Sequence, residues 1–209
     1  MLPLDTVLTF FATALMLALA PGPDIIFVLT QSALYGMRAG VATTLGLISG
    51  LCFHTTIVAA GVAGIFMTSP LAFTLLTIVG AAYLLYLAWL SFRAGASMAH
   101  LQESRFLGYW GLYRRGVIMN ITNPKVTLFF LAFLPQFCAP ERGSVALQVM
   151  ELGLLFMLAA FIVFTAVSAL GGRLAHWFNS SPRGQMLMHR VAGLVFVALA
   201  GMLIFSCVA

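Results

Sequence analysis

The chain has 209 residues, of which 62% are hydrophobic and only 7% are charged, and its mean hydropathy is +1.08. Soluble domains carry about 25% charged residues, so this composition excludes a soluble fold and predicts an integral membrane protein. The net charge of +5 comes from ten basic and five acidic residues. Because the arginines are spread over short segments between apolar stretches, nucleic acid is not expected as a partner.

Six apolar stretches follow one another, each long enough for a transmembrane helix of about 20 residues. Their hydrophobicity is continuous rather than alternating, which favours helices over an outer-membrane barrel. We predict a single all-α transmembrane domain over residues 1–209, with no soluble domain attached. The predicted spans are Leu4–Leu34, Val41–Met67, Leu71–Phe92, Gly116–Phe137, Val145–Leu170 and Leu187–Val208.

The first span is interrupted by Pro21, Gly22 and Pro23, and Asp24 follows directly. Its 31 residues would form a straight helix of about 46 Å at 1.5 Å per residue, whereas the hydrocarbon core is about 30 Å thick. Proline lacks a backbone donor and clashes with the preceding turn, so a break is predicted here. The stretch has no basic region before it, so it is interpreted as a retained helix rather than a signal peptide.

The fourth span repeats this arrangement, since Pro124 is followed by Lys125, with Asn120 and Asn123 beside them. A charged side chain at membrane depth costs roughly 2.5–3.5 kcal/mol even on lenient scales, and such residues generally mark functional sites. Interrupted spans at matching positions of two halves are typical of a transporter's binding site. Pro21, Gly22, Pro23 and Pro124 are therefore predicted as the helix breaks or hinges.

The chain also shows signs of an internal repeat. Asp24 and Lys125 lie 101 residues apart, and Gly80–Phe92 resembles Gly193–Phe205 at an offset of 113. Three spans per half is an odd number, so the second half must enter the membrane from the opposite side. We predict an inverted 3+3 repeat, with halves of about 1–95 and 112–209 and a cytoplasmic linker of about 96–111.

Glycines are concentrated at the start of the second span. Gly46 and Gly50 form a GxxxG pattern, and small residues allow helices to approach closely. An intramolecular seam is favoured, with a homodimer contact or a sliding surface as alternatives. The glycines predicted to pack helices are Gly36, Gly40, Gly46, Gly50, Gly80 and Gly193.

Basic residues alternate between the connections. Eight arginines lie in the connections between spans 1 and 2, 3 and 4, and 5 and 6, against Arg142 alone on the other side, with Lys125 set aside as intramembrane. The positive-inside rule then predicts both termini outside. Aromatic residues near the predicted cytoplasmic ends agree with this orientation; they are Tyr35, Trp89, Tyr109, Trp110, Tyr113 and Trp177.

At these residues the chain resembles the LysE/RhtB family of amino-acid exporters over nearly its whole length. The shared features are Ala20–Asp24 (APGPD), the glycines of span 2, Gly80–Leu84 (GAAYL), Asn120–Lys125 continuing to Pro135–Phe137, and Arg190 with Gly193. The resemblance implies a six-helix bacterial inner-membrane protein that exports amino acids or close derivatives, driven by a proton or ion gradient. Members resemble exporters of lysine or arginine, of threonine and homoserine, of leucine and of cysteine-pathway metabolites.

An amino acid is a zwitterion, so its transport requires one anionic and one cationic feature. Asp24 is predicted to bind the ammonium group and Lys125 the carboxylate, and the two are expected to neutralise each other when no substrate is bound. A lone acid beside a lone base favours a neutral amino acid over a basic one. Asn120, Asn123 and Gln31 are candidate hydrogen-bonding neighbours. Asp24 is the first candidate for proton coupling and His54 the second, with packing of His54 and a static Asp24–Lys125 ion pair as alternatives.

Other classes remain open at this point: an exporter of another small solute or a metal cation, a membrane thiol-relay protein, or a channel. The cysteines show no paired spacing and the histidines no metal-ligand spacing, so neither a metal nor a cofactor is predicted. No arrangement typical of a hydrolase occurs, and the chain is not expected to be an enzyme.

Overall fold

The computed structural model describes residues 2–68, 70–94 and 106–208. In these ranges the chain is all-α, without a strand. A π-helical turn at Phe129–Phe133 and 3₁₀ turns at Leu134–Phe137 and Pro140–Arg142 follow the sixth helix. The α-helices are α1 (Leu4–Leu19), α2 (Pro23–Tyr35), α3 (Met37–Thr68), α4 (Pro70–Arg93), α5 (Gly108–Ile121), α6 (Pro124–Leu128), α7 (Val145–Ser180) and α8 (Pro182–Val208).

Four helices are long and apolar enough to cross a membrane by themselves, namely α3, α4, α7 and α8. Two further candidates are bent pairs. The helix axis bends by 59° between α1 and α2, and by 48° between α5 and the segment Pro124–Phe137. If each pair is one broken span, the described residues contain six spans, and otherwise four. The predicted all-α membrane fold is confirmed at this level, with bends in the first and fourth stretches.

Two predicted boundaries differ most from the structure. The helix of the fourth stretch begins at Gly108 rather than at Gly116, so the end of the predicted linker is helical. The part of that linker up to residue 105 lies outside the described residues. Helix α7 continues to Ser180, ten residues beyond Leu170. Both extensions carry polar and aromatic residues, which lower the local hydropathy and so end the predicted span. The backbone nevertheless continues its helical hydrogen bonds through these residues.

The residues that precede the prolines produce the breaks. Ala20, Gly22 and Asn123 all have extended backbone, with ψ of 125°, 176° and 108°. A following proline ring disfavours helical ψ by steric clash, whereas the proline itself suits the first position of the next helix. Pro23 and Pro124 therefore begin α2 and α6 instead of kinking continuous helices.

Helix α3 lies at the centre of the bundle and packs against α5 on one side and α7 on the other, while α4 packs mainly against α8. The crossing of α3 and α5 depends on glycine. A Cβ at Gly116 would lie 2.6 Å from the Thr43 carbonyl oxygen, and one at Gly46 would collide with the backbone of Tyr113. The GxxxG pattern therefore forms a seam within the chain.

Most of the other predicted glycines also lie where helices touch. A Cβ at Gly40 would meet Ser168 and Ser32, one at Gly50 would meet Asn120, one at Gly80 would meet Ala132, and one at Gly193 would meet Phe92. Gly36 is different, and its prediction as a packing residue is wrong. Nothing lies within 4 Å of its Cβ position, and its φ of 83° forms the one-residue turn between α2 and α3.

The connection before α7 is held by Gln148. Its side chain accepts a hydrogen bond from the Ala139 N–H (2.8 Å) and donates to the Ala139 carbonyl (2.9 Å). Cys138 precedes this anchor, and burial raises the pKa of its thiol to about 12. The thiolate is therefore strongly disfavoured in this connection.

We expect Gly46→Ala to destabilise the protein. Overpacking of a close contact costs about 1–3 kcal/mol, which exceeds the gain of up to about 1 kcal/mol from replacing glycine with alanine in a helix. Thermal unfolding in detergent measures the difference. Gly201→Ala is the matched control, because its added Cβ meets nothing within 4 Å. An unchanged or raised midpoint for Gly46→Ala would contradict the described seam.

We expect Cys138 to be alkylated slowly. Raising a thiol pKa from 9.0 to about 12 lowers the thiolate fraction at neutral pH by roughly a thousandfold, and the thiolate is the reactive form. Maleimide labelling of a variant that retains only this cysteine should accelerate about tenfold per pH unit above neutrality. The Gln148→Ala variant, which releases the anchor, should react faster. Labelling at the rate of a free thiol at pH 7 would contradict the burial of this group.

Candidate functional site: the paired helix breaks

The two breaks bring an acid and a base into the protein interior. Asp24 is the second residue of α2 and Lys125 the second residue of α6. Their exposed fractions are 3% and 8%, and Asp24 is the only buried carboxylate among the described residues. Each side chain lies beside the backbone irregularity that its proline creates. We refer to these residues with Asn120, Asn123 and His54 as the central site.

Lys125 completes the broken end of α1. Its Nζ donates to the carbonyl oxygens of Leu17 (3.4 Å) and Ala20 (3.3 Å). In an unbroken helix the Leu17 carbonyl would accept from the N–H of residue 21, but proline has none. The ammonium group takes the place of that donor and also complements the negative end of the helix dipole. Gly22 makes room for it, since a Cβ there would lie 3.0 Å from Nζ.

His54 plays the corresponding part at the broken end of α5. Its Nε2 lies 3.1 Å from the carbonyl oxygen of Asn120, which is four residues before Pro124. A carbonyl can only accept, so Nε2 carries the proton. In both broken stretches, then, a basic side chain of another element donates to the carbonyl four residues before the proline, although the Asn120 carbonyl also accepts from the Asn123 N–H at 3.0 Å.

Asp24 binds the side chain of Asn120 rather than Lys125. Asn120 Nδ2 donates to Asp24 Oδ2 at 3.1 Å, while no ion pair within 4.0 Å joins Asp24 to Lys125. The alternative of a static contact ion pair is wrong for this structure, whereas mutual neutralisation over a longer distance stays a prediction. The physical reason is that the freed carbonyls of α1 compete for the ammonium group, and an amide satisfies one carboxylate oxygen.

Three buried polar atoms of the central site have no hydrogen-bond partner: Asp24 Oδ1, Asn120 Oδ1 and Asn123 Nδ2. Buried polar atoms are usually paired, and exceptions require an explanation. The first two are acceptors and the third is a donor. All lie around the same carboxylate: the Asn123 amide is near enough to Asp24 for a weak hydrogen bond that falls outside strict geometric limits, and the charges of Lys125 and His54 act on Asp24 through space. The central site therefore retains hydrogen-bonding capacity for a ligand with both donors and acceptors.

The remaining predicted residues have distinct positions. Asn123 is the N-cap of α6, and its Oδ1 accepts from the Lys125 N–H at 3.0 Å. Gln31 is buried on α2 but is seven residues from Asp24, or about 10 Å at 1.5 Å per residue. It makes no hydrogen bond to the central site, all of whose residues lie in the described part of the chain. The structure thus assembles the other four predicted polar residues and leaves Gln31 apart.

Aromatic rings that the sequence reasoning missed form one wall of the central site. Phe130 lies 5.7 Å from the His54 ring, and Phe156 of α7 packs on both Phe129 and Phe130. The sequence pattern that could have predicted this wall is the series of phenylalanines after Lys125, at positions 129, 130, 133 and 137. A separate small apolar cluster of Phe27, Ala39 and Leu112 joins α2, α3 and α5.

The central site is closed in this structure, since Asp24 and Lys125 are almost fully buried. An apolar groove of about 460 Å³ lies between the α1–α2 elbow and the helices α7 and α8, and a polar pocket of about 410 Å³ lies near the start of α1. Neither is lined by Asp24 or Lys125. Entry of any ligand therefore requires a conformational change.

Comparisons with known proteins place this arrangement in a family. The chain is 33% identical over 196 residues to a homoserine/homoserine lactone efflux protein of Salmonella typhimurium, covering 93% of each chain. It is 32% identical to an uncharacterized membrane protein of Vibrio cholerae (94% of this chain, 95% of the relative) and 28% identical to a leucine efflux protein of Salmonella typhimurium (93% and 92%). No solved structure matches significantly. The family described as LysE type translocator matches residues 15–206, and the chain belongs to this family of membrane translocators.

Proposed function

We propose that the protein is a secondary active exporter of neutral amino acids or their close derivatives, working by alternating access. One observation carries the proposal: Asp24 and Lys125 are both buried at paired helix breaks, yet each binds polar groups of the protein instead of the other charge. Charges held in this way are available for exchange with the two ends of a zwitterion.

The unpaired atoms match the polarity of such a substrate. Asp24 Oδ1 and Asn120 Oδ1 can accept from an ammonium group, and Asn123 Nδ2 and Lys125 Nζ can donate to a carboxylate. Hydrogen bonds with a charged partner contribute roughly 1.5–3 kcal/mol each. A zwitterion would thus satisfy atoms that are orphaned in the closed structure.

Binding requires Lys125 to exchange partners. In the closed structure its ammonium group satisfies the Leu17 and Ala20 carbonyls. When it turns to a substrate carboxylate, these carbonyls need water or another donor, because unsatisfied backbone groups are costly in a membrane. We infer that opening of the site admits that water, and that release of the substrate returns Lys125 to the helix end.

The relatives support the neutral class. The named proteins carry out efflux of homoserine or homoserine lactone and of leucine, none of which has a charged side chain. A basic side chain would require a second carboxylate, and Asp24 is the only buried one in the described ranges. Substrates with uncharged side chains are therefore favoured over lysine or arginine.

For the architecture we propose the inverted 3+3 repeat in the bacterial inner membrane, with both termini outside. The two bent pairs occupy equivalent places in the halves, and in each a basic side chain donates to the carbonyl four residues before a proline. The packing of α3 on α7 and of α4 on α8 joins corresponding helices of the two halves. Gly46 and Gly50 pack against α5 within the chain, so these glycines give no support to a homodimer.

Proton-coupled antiport is the proposed energy source, with Asp24 as the proton carrier. It is the buried carboxylate of the central site, and one of its oxygens has no partner. A proton bound there from outside would release the substrate ammonium group. The His54 Nε2–H group is engaged by the Asn120 carbonyl, which favours a structural role for this histidine.

Counterflow in proteoliposomes tests the proposal. Liposomes loaded with unlabelled leucine or homoserine should accumulate the labelled compound. Asp24→Asn and Lys125→Met should each lower the rate by about tenfold or more, since a charge-assisted hydrogen bond contributes roughly 1.5–3 kcal/mol and 1.4 kcal/mol is a factor of ten.

Glu151→Gln and Arg38→Gln are the matched controls, because they neutralise exposed charges, and they should keep the full rate. Undiminished exchange in the double variant Asp24→Asn/Lys125→Met would overturn the binding role. Permeation of the parent protein without stimulation by internal substrate would indicate a channel.

Two substitutions of Asn123 separate its structural and binding roles. Serine is as good an N-cap as asparagine, whereas alanine costs about 1 kcal/mol. We therefore expect Asn123→Ser to keep the thermal stability and Asn123→Ala to lower it, while both variants lose counterflow because both lack Nδ2. Full counterflow by Asn123→Ser would show that the unpaired amide does not serve the substrate.

A further inference from the structure

A second polar pocket lies at the end of the bundle where α1 begins. Its volume is about 410 Å³, and it lies between the first turns of α1 and residues 136–142. The polar residues that line it include Asp5, Thr9, Gln136, Glu141 and Arg142. Glu141 and Arg142 form only a loose pair, with 4.0 Å between Nε and Oε1, and both are exposed. The pocket thus offers carboxylates, amide and hydroxyl groups and a guanidinium in an open space.

A stack of aromatic rings connects this pocket to the central site. Phe129, Phe133 and Phe137 follow Lys125 at intervals of four residues, and consecutive ring centroids are 5.0 and 5.3 Å apart. Phe10 of α1 completes the stack, 6.2 Å from Phe129 and 5.2 Å from Phe137.

The burial of these rings identifies the barrier. Phe10, Phe129 and Phe133 are at most 1% exposed, whereas Phe137 is only partly buried and lines the polar pocket. Phe10 lies two turns before Leu17, whose carbonyl binds Lys125. The edge contact between Phe10 and Phe137 is therefore the layer of the stack next to the pocket.

The backbone that carries the stack is irregular. Phe129–Phe133 is a π-helical turn and Leu134–Phe137 a 3₁₀ turn. Such turns have poorer hydrogen-bond geometry than an α-helix, and π-turns are frequent at functional sites. This part of the fourth stretch can thus rearrange at a lower free-energy cost than the regular helices around it.

We infer that the polar pocket is the exit mouth for a small zwitterionic solute, and that Phe10 and Phe137 form the outer gate between this mouth and the central site. The inference rests on the proposed export function. The carboxylates and the guanidinium of the mouth receive the two ends of the solute weakly, as release requires. The rings exclude water from Lys125 until the fourth stretch rearranges.

Cysteine accessibility tests the gate without any substrate. In the full chain with Cys52, Cys138 and Cys207 replaced by serine, Thr9→Cys reports on the mouth. Ala14→Cys reports on the fully buried position between Phe10 and Leu17. A membrane-impermeant thiol reagent added outside intact cells should label Thr9→Cys and leave Ala14→Cys unlabelled.

Adding Phe10→Ala or Phe137→Ala should raise labelling of Ala14→Cys by about tenfold or more, because access limits the reaction of a buried thiol. Phe161→Ala removes a ring that is 39% exposed on α7, and it should change nothing. Phe137→Leu provides a milder opening if the alanine variants do not fold.

Three results would overturn the inference. Labelling of Ala14→Cys in the protein with an intact gate would show that the rings are no barrier, as would protection that persists in every folded gate variant. Labelling of Thr9→Cys only from the cytoplasmic side would exclude an exit mouth. If the labelling pattern is as expected but counterflow is not observed, the gate is supported, and only the proposed transport activity or substrate class is refuted.

Discussion

A proline inside a membrane helix leaves the carbonyl four residues earlier without its N–H partner, and lipid offers no replacement donor. This protein has that problem twice, at Leu17 before Pro21 and at Asn120 before Pro124. At Leu17 the Lys125 ammonium group supplies the donor, whereas the Asn120 carbonyl accepts both from the Asn123 N–H at 3.0 Å and from His54. The rest of the central site is arranged around these two repairs.

The repairs link stability to function. Lys125 is buried because α1 needs a donor, and the break places Asp24 at the start of α2, where the helix dipole favours a negative charge. No ion pair within 4.0 Å joins the two side chains. The groups that maintain the broken helices are therefore the same groups that, in the proposed function, bind a dipolar solute. In such a design, binding and rearrangement of the helix ends are necessarily coupled.

Close helix packing fixes the geometry of these groups. Gly46 and Gly116 allow α3 and α5 to meet at their backbones, and Gly50 leaves room for Asn120. The aromatic rings after Lys125 then fill the space toward one end of the bundle. A tight polar centre between a glycine seam and an aromatic stack opens only when elements move as units, because packed interiors do not deform continuously.

The sequence alone determined the membrane class, the positions of the apolar stretches and the location of both breaks, because hydropathy and proline chemistry are local properties. It also indicated which polar residues lie at membrane depth, since buried charges are rare enough to stand out. Only the tertiary structure decided how those residues pair. That Lys125 binds the α1 carbonyls rather than Asp24, that Gln31 lies apart and that Gly36 forms a turn all depend on distances between segments remote in sequence. Competition between a carboxylate and freed carbonyls for one ammonium group is settled by three-dimensional placement, which no local pattern encodes.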